Sequence, residues 1–268
     1  MNYFVLNRGD DASRSLTETL NRLAKNYGLL WNDHSPDVVV SIGGDGTMLH
    51  AFHQYRNQLD RIAFVGIHTG HLGFYADWKP NEVERLISLM ANGEDLKDRI
   101  VKYPLLRVEL TTEQGIHPFL ALNEFTLKGA EATLVANLHI NDSSFEMFRG
   151  DGICISTPSG STAYNKSLNG AVLHPALDAI QITEIASINN RIFRTIGSSL
   201  ILPKHHHCDI IPRAGQKLLL TVDHITVPYS SVLNVRSTVA EQKVTFARYR
   251  PFPFWDRVKE AFIGDSIE

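Results

Sequence analysis

Val38-Val39-Val40-Ser41-Ile42 runs directly into Gly43-Gly44-Asp45-Gly46-Thr47, and this junction decides how the first third of the chain is read. An uncharged run with a single hydroxyl predicts a strand buried on both faces, as in a parallel sheet. The glycines permit positive φ and close approach of the backbone to a ligand. A helix expected over Thr47 to Tyr55 would turn its unpaired amides toward an anion. A carboxylate is an odd choice beside phosphates, because like charges repel. Asp45 makes sense there if it receives a proton from an attacking hydroxyl or binds a bridging metal. The plainer alternative is a tight turn with Asp45 capping the helix. The segment is neither a Walker loop nor a Gly-x-Gly-x-x-Gly fingerprint.

The neighbouring sequence alternates in the same way. Tyr3 to Leu6 reads as a strand, and Ser15 to Tyr27 as an amphipathic helix with Leu16, Leu20, Leu23 and Ala24 on one face. Ile62 to Ile67 is a further strand, and Asn81 to Met90 a helix with Val83, Leu86, Ile87 and Met90 inward. Residues 1–100 are therefore expected to form an α/β domain with a parallel sheet. Around Asp98 to Lys102 the pattern changes. Leu105–Leu110, Phe119–Leu127, Thr133–Ile140, Gly152–Ser156, Lys217–Val222 and Val239–Phe246 are strand-like, so residues 101–247 read as a β-rich domain. The tail, residues 248–268, carries Pro251-Phe252-Pro253-Phe254-Trp255 and then a helical pattern, expected to pack back on the first domain.

Composition sets bounds on function. The chain has 268 residues, 43% hydrophobic and 21% charged, with a net charge of -3. That balance gives no electrostatic reason to expect nucleic acid or an anionic membrane as a partner. Anions must be held by local amides, helix ends and single arginines. Two cysteines, Cys154 and Cys208, in strand-like segments argue against a disulfide framework and for a reducing cytoplasm. Asp10, Asp11 and Arg14 interrupt any N-terminal signal, and no apolar run nears the roughly 20 residues that cross a bilayer. A soluble cytoplasmic protein is expected.

Four further clusters carry chemistry. Asn123-Glu124 sits in an apolar strand segment, where a carboxylate is costly unless it is paired or faces a ligand; a domain-edge strand with a solvated face is the alternative. Arg149-Gly150-Asp151-Gly152 could pair with a phosphate, although Asp-Gly on spacing alone favours a hairpin turn. In Ser156-Thr157-Pro158-Ser159-Gly160-Ser161-Thr162-Ala163-Tyr164, Ser161 or Thr162 is positioned to cap a helix whose hydroxyl-framed start suits a nucleotide. His205-His206-His207-Cys208 looks like a metal cluster, yet consecutive residues cannot all point at one ion, so a surface loop is expected. His68 and His71 lack zinc-pair spacing and read as loop residues near the cleft.

In this order and spacing, the glycine turn, the Asn-Glu pair and the Arg-Gly-Asp-Gly to Ser-Thr-Pro-Ser-Gly-Ser-Thr-Ala-Tyr-Asn block resemble bacterial NAD kinases. Asp223 and the Pro-Phe-Pro-Phe-Trp tail extend the resemblance over nearly the whole chain. It implies a two-domain kinase that phosphorylates the adenosine ribose 2′-hydroxyl of NAD to give NADP, with ATP, or polyphosphate, as donor. It further implies a divalent metal, foremost Mg²⁺. By position, Asp45 is implied as proton acceptor, with Gly43, Gly44, Gly46 and Thr47 as the phosphate loop. Asp45, Gly46, Asn123, Glu124, Arg149 and Asp151 are implied NAD contacts. Thr162, Ala163, Tyr164, Asn165, Lys166, Ser167, Ala186 and His224 are implied to line the same pocket. The family forms homodimers or homotetramers that share pocket residues, which would give Arg149 and Asp151 to a neighbour's site. The chain departs from the pattern at Asp223-His224-Ile225, where many relatives have Asp-Gly-Gln, and at Ser159 and Asn169. A lipid or sugar kinase of the wider glycine-turn group, and a non-catalytic NAD or NADP sensor, are the competing readings.

Overall fold

The computed structural model describes residues 1–70, 73–92 and 100–264. Its contacts divide the chain into two compact units, Met1–Tyr103 with Lys243–Glu268, and Pro104–Gln242. His71, and Asp98 and Arg99 of the expected Asp98 to Lys102 boundary, lie outside the described residues.

The first unit opens with β1 (Asn2–Asn7), α1 (Asp11–Asn26), β2 (Leu30–Trp31), β3 (Val38–Ile42), α2 (Asp45–Tyr55), β4 (Ala63–Ile67) and α3 (Val83–Asn92). The strands are parallel in the order β2-β1-β3-β4. Every residue of β3 is buried, Ser41 included, as an uncharged run with a single hydroxyl predicts. α1 starts earlier than its apolar periodicity suggested, because Asp10 caps it by accepting from the Ser13 amide. Leu20 and Ala24 of α1 join Val83, Leu86, Ile87 and Met90 of α3 in one core with Val38, Val40 and Ile42.

The second unit is β throughout apart from one short helix. Its elements are β5 (Ile100–Thr112, which begins in the first unit), β6 (Gly115–Ala121), β7 (Glu124–Gly129), β8 (Leu134–Ile140), β9 (Ser143–Gly150) and β10 (Gly152–Ser156). There follow α4 (Tyr164–Ser167), β11 (Ala179–Ile185), β12 (Leu200–Pro203), β13 (His207–Pro212), β14 (Lys217–Val222), β15 (Ile225–Ser230) and β16 (Val232–Ala247). One antiparallel sheet runs β12-β11-β10-β7-β14-β15, while β9, β8, β13 and the start of β16 pair in another. Phe125, Leu127, Ile153 and Ile155 from the first sheet and Leu138, Phe148 and Ile210 from the second meet in one apolar core.

Two expectations are corrected here. Phe119–Leu127 is not one strand: the chain breaks at Leu122-Asn123, with β6 paired to β5 and β7 placed in the six-stranded sheet. The Asp151-Gly152 step is not a hairpin either, because β9 pairs back with β8 while β10 pairs with β7 and β11.

The end of β16 returns to the first unit and pairs in parallel with β4. The tail then forms α5 (Phe254–Phe262), whose Phe254 and Phe262 rings meet Phe74 at 6.2 and 5.8 Å.

Candidate active site

At the carboxyl ends of the parallel strands, the usual place for a ligand in such sheets, Arg8 donates its amide to Ile42 O (3.0 Å) and Gly43 donates to Ile67 O (2.9 Å). α2 begins at Asp45, with Gly44 as its N-cap and no side-chain cap. Asp45 therefore does not cap the helix, contrary to the plainer reading of the turn. Its two carboxylate oxygens accept instead from the amides of Phe74 (2.9 Å) and Tyr75 (3.0 Å).

The three turn glycines have different reasons to be there. A Cβ on Gly43 would lie 2.9 Å from Thr47 Cβ, so the fold itself excludes one. A Cβ on Gly44 or Gly46 would meet nothing within 4 Å. The fold makes no packing demand for glycine at those two positions, and they leave the helix start bare beside a recess of about 730 Å³. Arg8, Thr47 and His50 also line that recess.

Burial raises the pKa of Asp45 above the ordinary carboxylate range. The Phe74 and Tyr75 amides, then the charges of Arg257 and Arg248, oppose that rise without cancelling it. The segment that supplies the two amides is tightly built. A Cβ on Gly73 would come within 2.7 Å of Asp45 Cγ, and one on Gly66 within 2.7 Å of Ala76 Cα. Asp77 is buried between Arg248 (Nη1–Oδ2 2.6 Å) and Arg257 (Nη1–Oδ1 3.1 Å).

The second unit holds the other cluster. Glu124, Thr126 and Lys128 alternate with core residues along β7, so they share the face turned away from the apolar core. The start of β7 is pinned from far along the chain. Asp223, in the β14–β15 turn, accepts from the amides of Leu122 (3.0 Å), Asn123 (2.7 Å) and Glu124 (3.2 Å). Thr157 donates its amide to Asn123 O (2.8 Å), and a Cβ on Gly160 would sit 2.6 Å from Asn123 Cα. Asp223 holds φ at 53°, a left-handed conformation that aspartate tolerates better than most residues.

Glu124 is 9% exposed, and its Oε2 has no hydrogen-bond partner. Burial, with the Asp223 carboxylate next in weight, pushes its pKa up to about 8 against the single Tyr164 amide that lowers it. It is thus a neutral carboxylic acid at neutral pH, able to donate as well as accept. Nearby, Lys128 Nζ donates to the Tyr164 hydroxyl (2.9 Å) and lies 4.6 Å from its ring centroid.

The Ser/Thr run departs most from expectation. Its hydroxyls mainly face the protein. Thr157 and Ser159 donate to Leu122 O (2.7 and 3.2 Å), Ser161 to Pro158 O (2.6 Å), and Thr162 to Ser159 O (3.1 Å). Neither Ser161 nor Thr162 caps α4, a four-residue helix that follows a 3-10 turn over Ser159–Thr162. Asn165 is fully buried: it donates to Ser161 O (3.3 Å) and accepts from Thr183 Oγ1 (2.8 Å). That side chain supports the loop from within. Ala163, Tyr164 and Lys166 are half-buried, and Ser167 and His224 exposed.

Arg149, Asp151 and Ala186 form a separate group. The Asp151 amide donates to Ile185 O (3.0 Å), and a Cβ on Gly150 would lie 2.8 Å from Ala186 O. The Arg149 guanidinium lies 5.3 Å from the Phe193 ring centroid. In the β7–β10 register Glu124 faces Ser156 and Lys128 faces Gly152, which puts this group at the opposite end of β7 from Glu124, about 14 Å away. The structure does not gather all the implied NAD contacts in one place.

The histidine run divides. His205 and His206 lie before β13, while His207 begins it, 3.1 Å from Asp142 and 3.5 Å from Asp209. Those three residues could ligate a metal, but Arg236 already supplies the positive charge, bonding Asp142 (2.9 Å) and Asp209 (2.8 Å). His68 Nδ1 pairs with Gly70 O (3.0 Å). Both cysteines are buried and free.

Comparison with known proteins bears on the whole chain. The ATP-NAD kinase N-terminal domain family matches residues 16–95, and the ATP-NAD kinase C-terminal domain family residues 122–248. NAD kinase 1 of Halalkalibacterium halodurans is 55% identical over 268 residues, covering 99% of this chain and 100% of its own length. NAD kinase 1 of Bacillus anthracis is 52% identical with the same coverage. In fold, the crystal structure of yeast NADH kinase complexed with NADH superposes with a TM-score of 0.83 at 18% identity, covering 100% of this chain and 89% of that one.

Proposed function

The chain belongs to the NAD kinase family, and from that premise we propose how its residues divide the work of the reaction. The enzyme transfers the γ-phosphoryl group of ATP to the 2′-hydroxyl of the adenosine ribose of NAD, giving NADP. Such transfers pass through a loose transition state, so positioning and charge neutralisation outweigh covalent chemistry. Asp45 orients the 2′-hydroxyl and takes its proton. The observation that carries this role is a carboxylate in the first turn of α2 that caps nothing and is held by two amides from another segment. Its raised pKa brings it nearer to the proton it must accept. Gly43, Gly44, Gly46 and Thr47 form the bed for the donor phosphates.

Asn123, Glu124 and Tyr164 hold the adenosine end of NAD, with neutral Glu124 offering its unpartnered oxygen to a ribose hydroxyl. Thr162, Ala163, Lys166, Ser167 and His224 frame this pocket, and Asn165 braces it from behind. Arg149, Asp151 and Ala186, at the far end of β7, serve the pocket of a neighbouring copy in a homodimer or homotetramer. The two compact units are the two working domains, one for phosphate and one for dinucleotide.

Magnesium fits this donor set as an ion brought in with ATP. Among the described residues no acidic side chain lines the recess beside the glycine turn, and Asp45 is the adjacent carboxylate. The ion would be held mainly by phosphate oxygens with Asp45 next to it, and would supply neutralisation of the phosphate charge. No described helix is long and apolar enough to cross a membrane. With two unpaired thiols, that supports a cytoplasmic setting.

The test is Asp45→Asn, assayed with NAD, ATP and Mg²⁺ by a coupled NADP-specific dehydrogenase. Turnover should fall by at least about 100-fold while NAD binding by calorimetry is retained. Turnover close to that of the unmodified enzyme would remove Asp45 from the mechanism.

A further inference from the structure

Arg257 lies close to the end of the chain, yet its side chain is only 12% exposed. It donates from Nη1 to Gly73 O (2.7 Å) and to Ala76 O (3.0 Å). These two bonds grip both ends of a four-residue span whose middle pair, Phe74 and Tyr75, gives its amides to Asp45. Two more residues of α5 reinforce the grip, since Phe254 and Phe262 both meet the Phe74 ring. Tyr75 is stacked on Phe246 at 5.4 Å. The segment is thus clamped on both sides of the atoms that face the carboxylate.

The charges around this segment tie α5 still more closely to Asp45. Two guanidiniums, Arg248 (2% exposed) and Arg257, share one buried carboxylate, Asp77. Burying a cation without a matching anion is expensive. Arg248 turns its other nitrogen to the neutral Tyr103 hydroxyl (2.9 Å), so that contact adds no negative charge. The Asp45 carboxyl lies within electrostatic reach of both guanidiniums, which lower its pKa against the rise that burial causes. Glu260 of α5 acts on Arg257 from the outer side. Asp45 is therefore coupled to both buried cations, and α5 contributes one of them.

We propose that the C-terminal helix α5 is a positioning element of the active site, with Arg257 fixing the Gly73–Asp77 segment against Asp45. This gives the aromatic tail a part in the reaction beyond packing. The inference rests on Asp45 being the proton acceptor, and Asp45→Asn, run alongside, tests that reading separately.

The experiment measures kcat, KM for NAD and the thermal unfolding midpoint from pH 5 to 9 for full-length Arg257→Met, Arg257→Lys and Asp77→Asn. In Arg257→Met, kcat should fall about 10- to 100-fold through lost positioning. The acid limb of its kcat profile should move up by about one pH unit, because a neighbouring cation is gone while burial remains. Arg257→Lys should restore the limb, since it restores the charge. It should regain only part of kcat, since an ammonium cannot reproduce the guanidinium fork. Asp77→Asn should move the limb the other way, because both guanidiniums then turn to Asp45. Loss of activity in Arg257→Met with an unmoved acid limb would reduce Arg257 to an ordinary structural residue and overturn the proposal. If Arg257→Met does not fold, Arg257→Lys and Asp77→Asn decide the matter, and limbs that stay in place in both overturn it. An active Asp45→Asn would instead bring down the assignment on which it rests.

Discussion

Replacing Glu124 by Gln should make the second unit more stable at alkaline pH and leave it nearly unchanged at acid pH. The unfolded carboxyl ionises near 4.5, and the native one near about 8. Between those values the native state holds a proton that the unfolded state has released. Stability therefore falls as pH rises through this window, by about 1.4 kcal/mol per pH unit, and levels off above the native value. The accumulated penalty is about 3 kcal/mol at pH 7 and on the order of 4–5 kcal/mol at pH 9. Glutamine has nearly the same shape and is neutral throughout, so the variant escapes the penalty. The difference in unfolding free energy should run from about 1 kcal/mol or less at pH 5 to several kcal/mol in favour of Gln at pH 9. Every other titrating group is common to both proteins and cancels. Urea unfolding followed by circular dichroism of the β-structure is the suitable assay, because Trp31, Trp78 and Trp255 all lie in the first unit and would not report on β7. Two unfolding curves that stay parallel from pH 5 to 9 would refute the reasoning, since an ordinary surface glutamate would give that result.

Two glycine substitutions separate the demands of the fold from those of the ligand. Gly46→Ala meets no protein atom within 4 Å, so the unfolding midpoint should hold or rise, as alanine favours helix by about 1 kcal/mol. KM for ATP should nevertheless rise about 10-fold through crowding of the phosphates, and an unchanged KM would remove Gly46 from the phosphate bed. Gly73→Ala drives a methyl to within 2.7 Å of Asp45 Cγ; kcat should fall about 100-fold with KM for NAD little altered, and a kcat near the starting value would show that the Asp45 geometry is not critical.

What the sequence revealed, and what it hid, follows from the range of the interactions. The buried strand Val38–Ile42 and the inward set Val83, Leu86, Ile87 and Met90 were legible because local periodicity alone determines them. Gly152–Ser156 and Lys217–Val222 were legible for the same reason. The break at Leu122-Asn123 was not. The amides there are taken by Asp223 about a hundred residues later, and no local pattern announces such a bond. The hydroxyls of Thr157 and Ser159 misled in the same way. A hydroxyl next to a glycine looks ready for a ligand, and only the fold shows Leu122 O waiting for it. Asp45 stood out as a carboxylate in a glycine turn. Its partners Phe74, Tyr75 and Arg257 carry no mark, because two contribute backbone amides and the third reaches them from the tail.

Asp45 and Glu124 show the same kind of side chain in two contrasting surroundings. Burial raises the pKa of both. Around Asp45 the protein sets two amides and two guanidiniums, which hold back the rise. Around Glu124 it sets one amide and a second carboxylate, Asp223, which adds to the rise. Asp223 cannot be withdrawn without cost, because it also ties down the three amides that shape the start of β7. The neutrality of Glu124 is thus coupled to the architecture that positions it. In the proposed reaction these contrasting surroundings suit Asp45 to accept the proton and Glu124 to offer a hydrogen bond to the ribose.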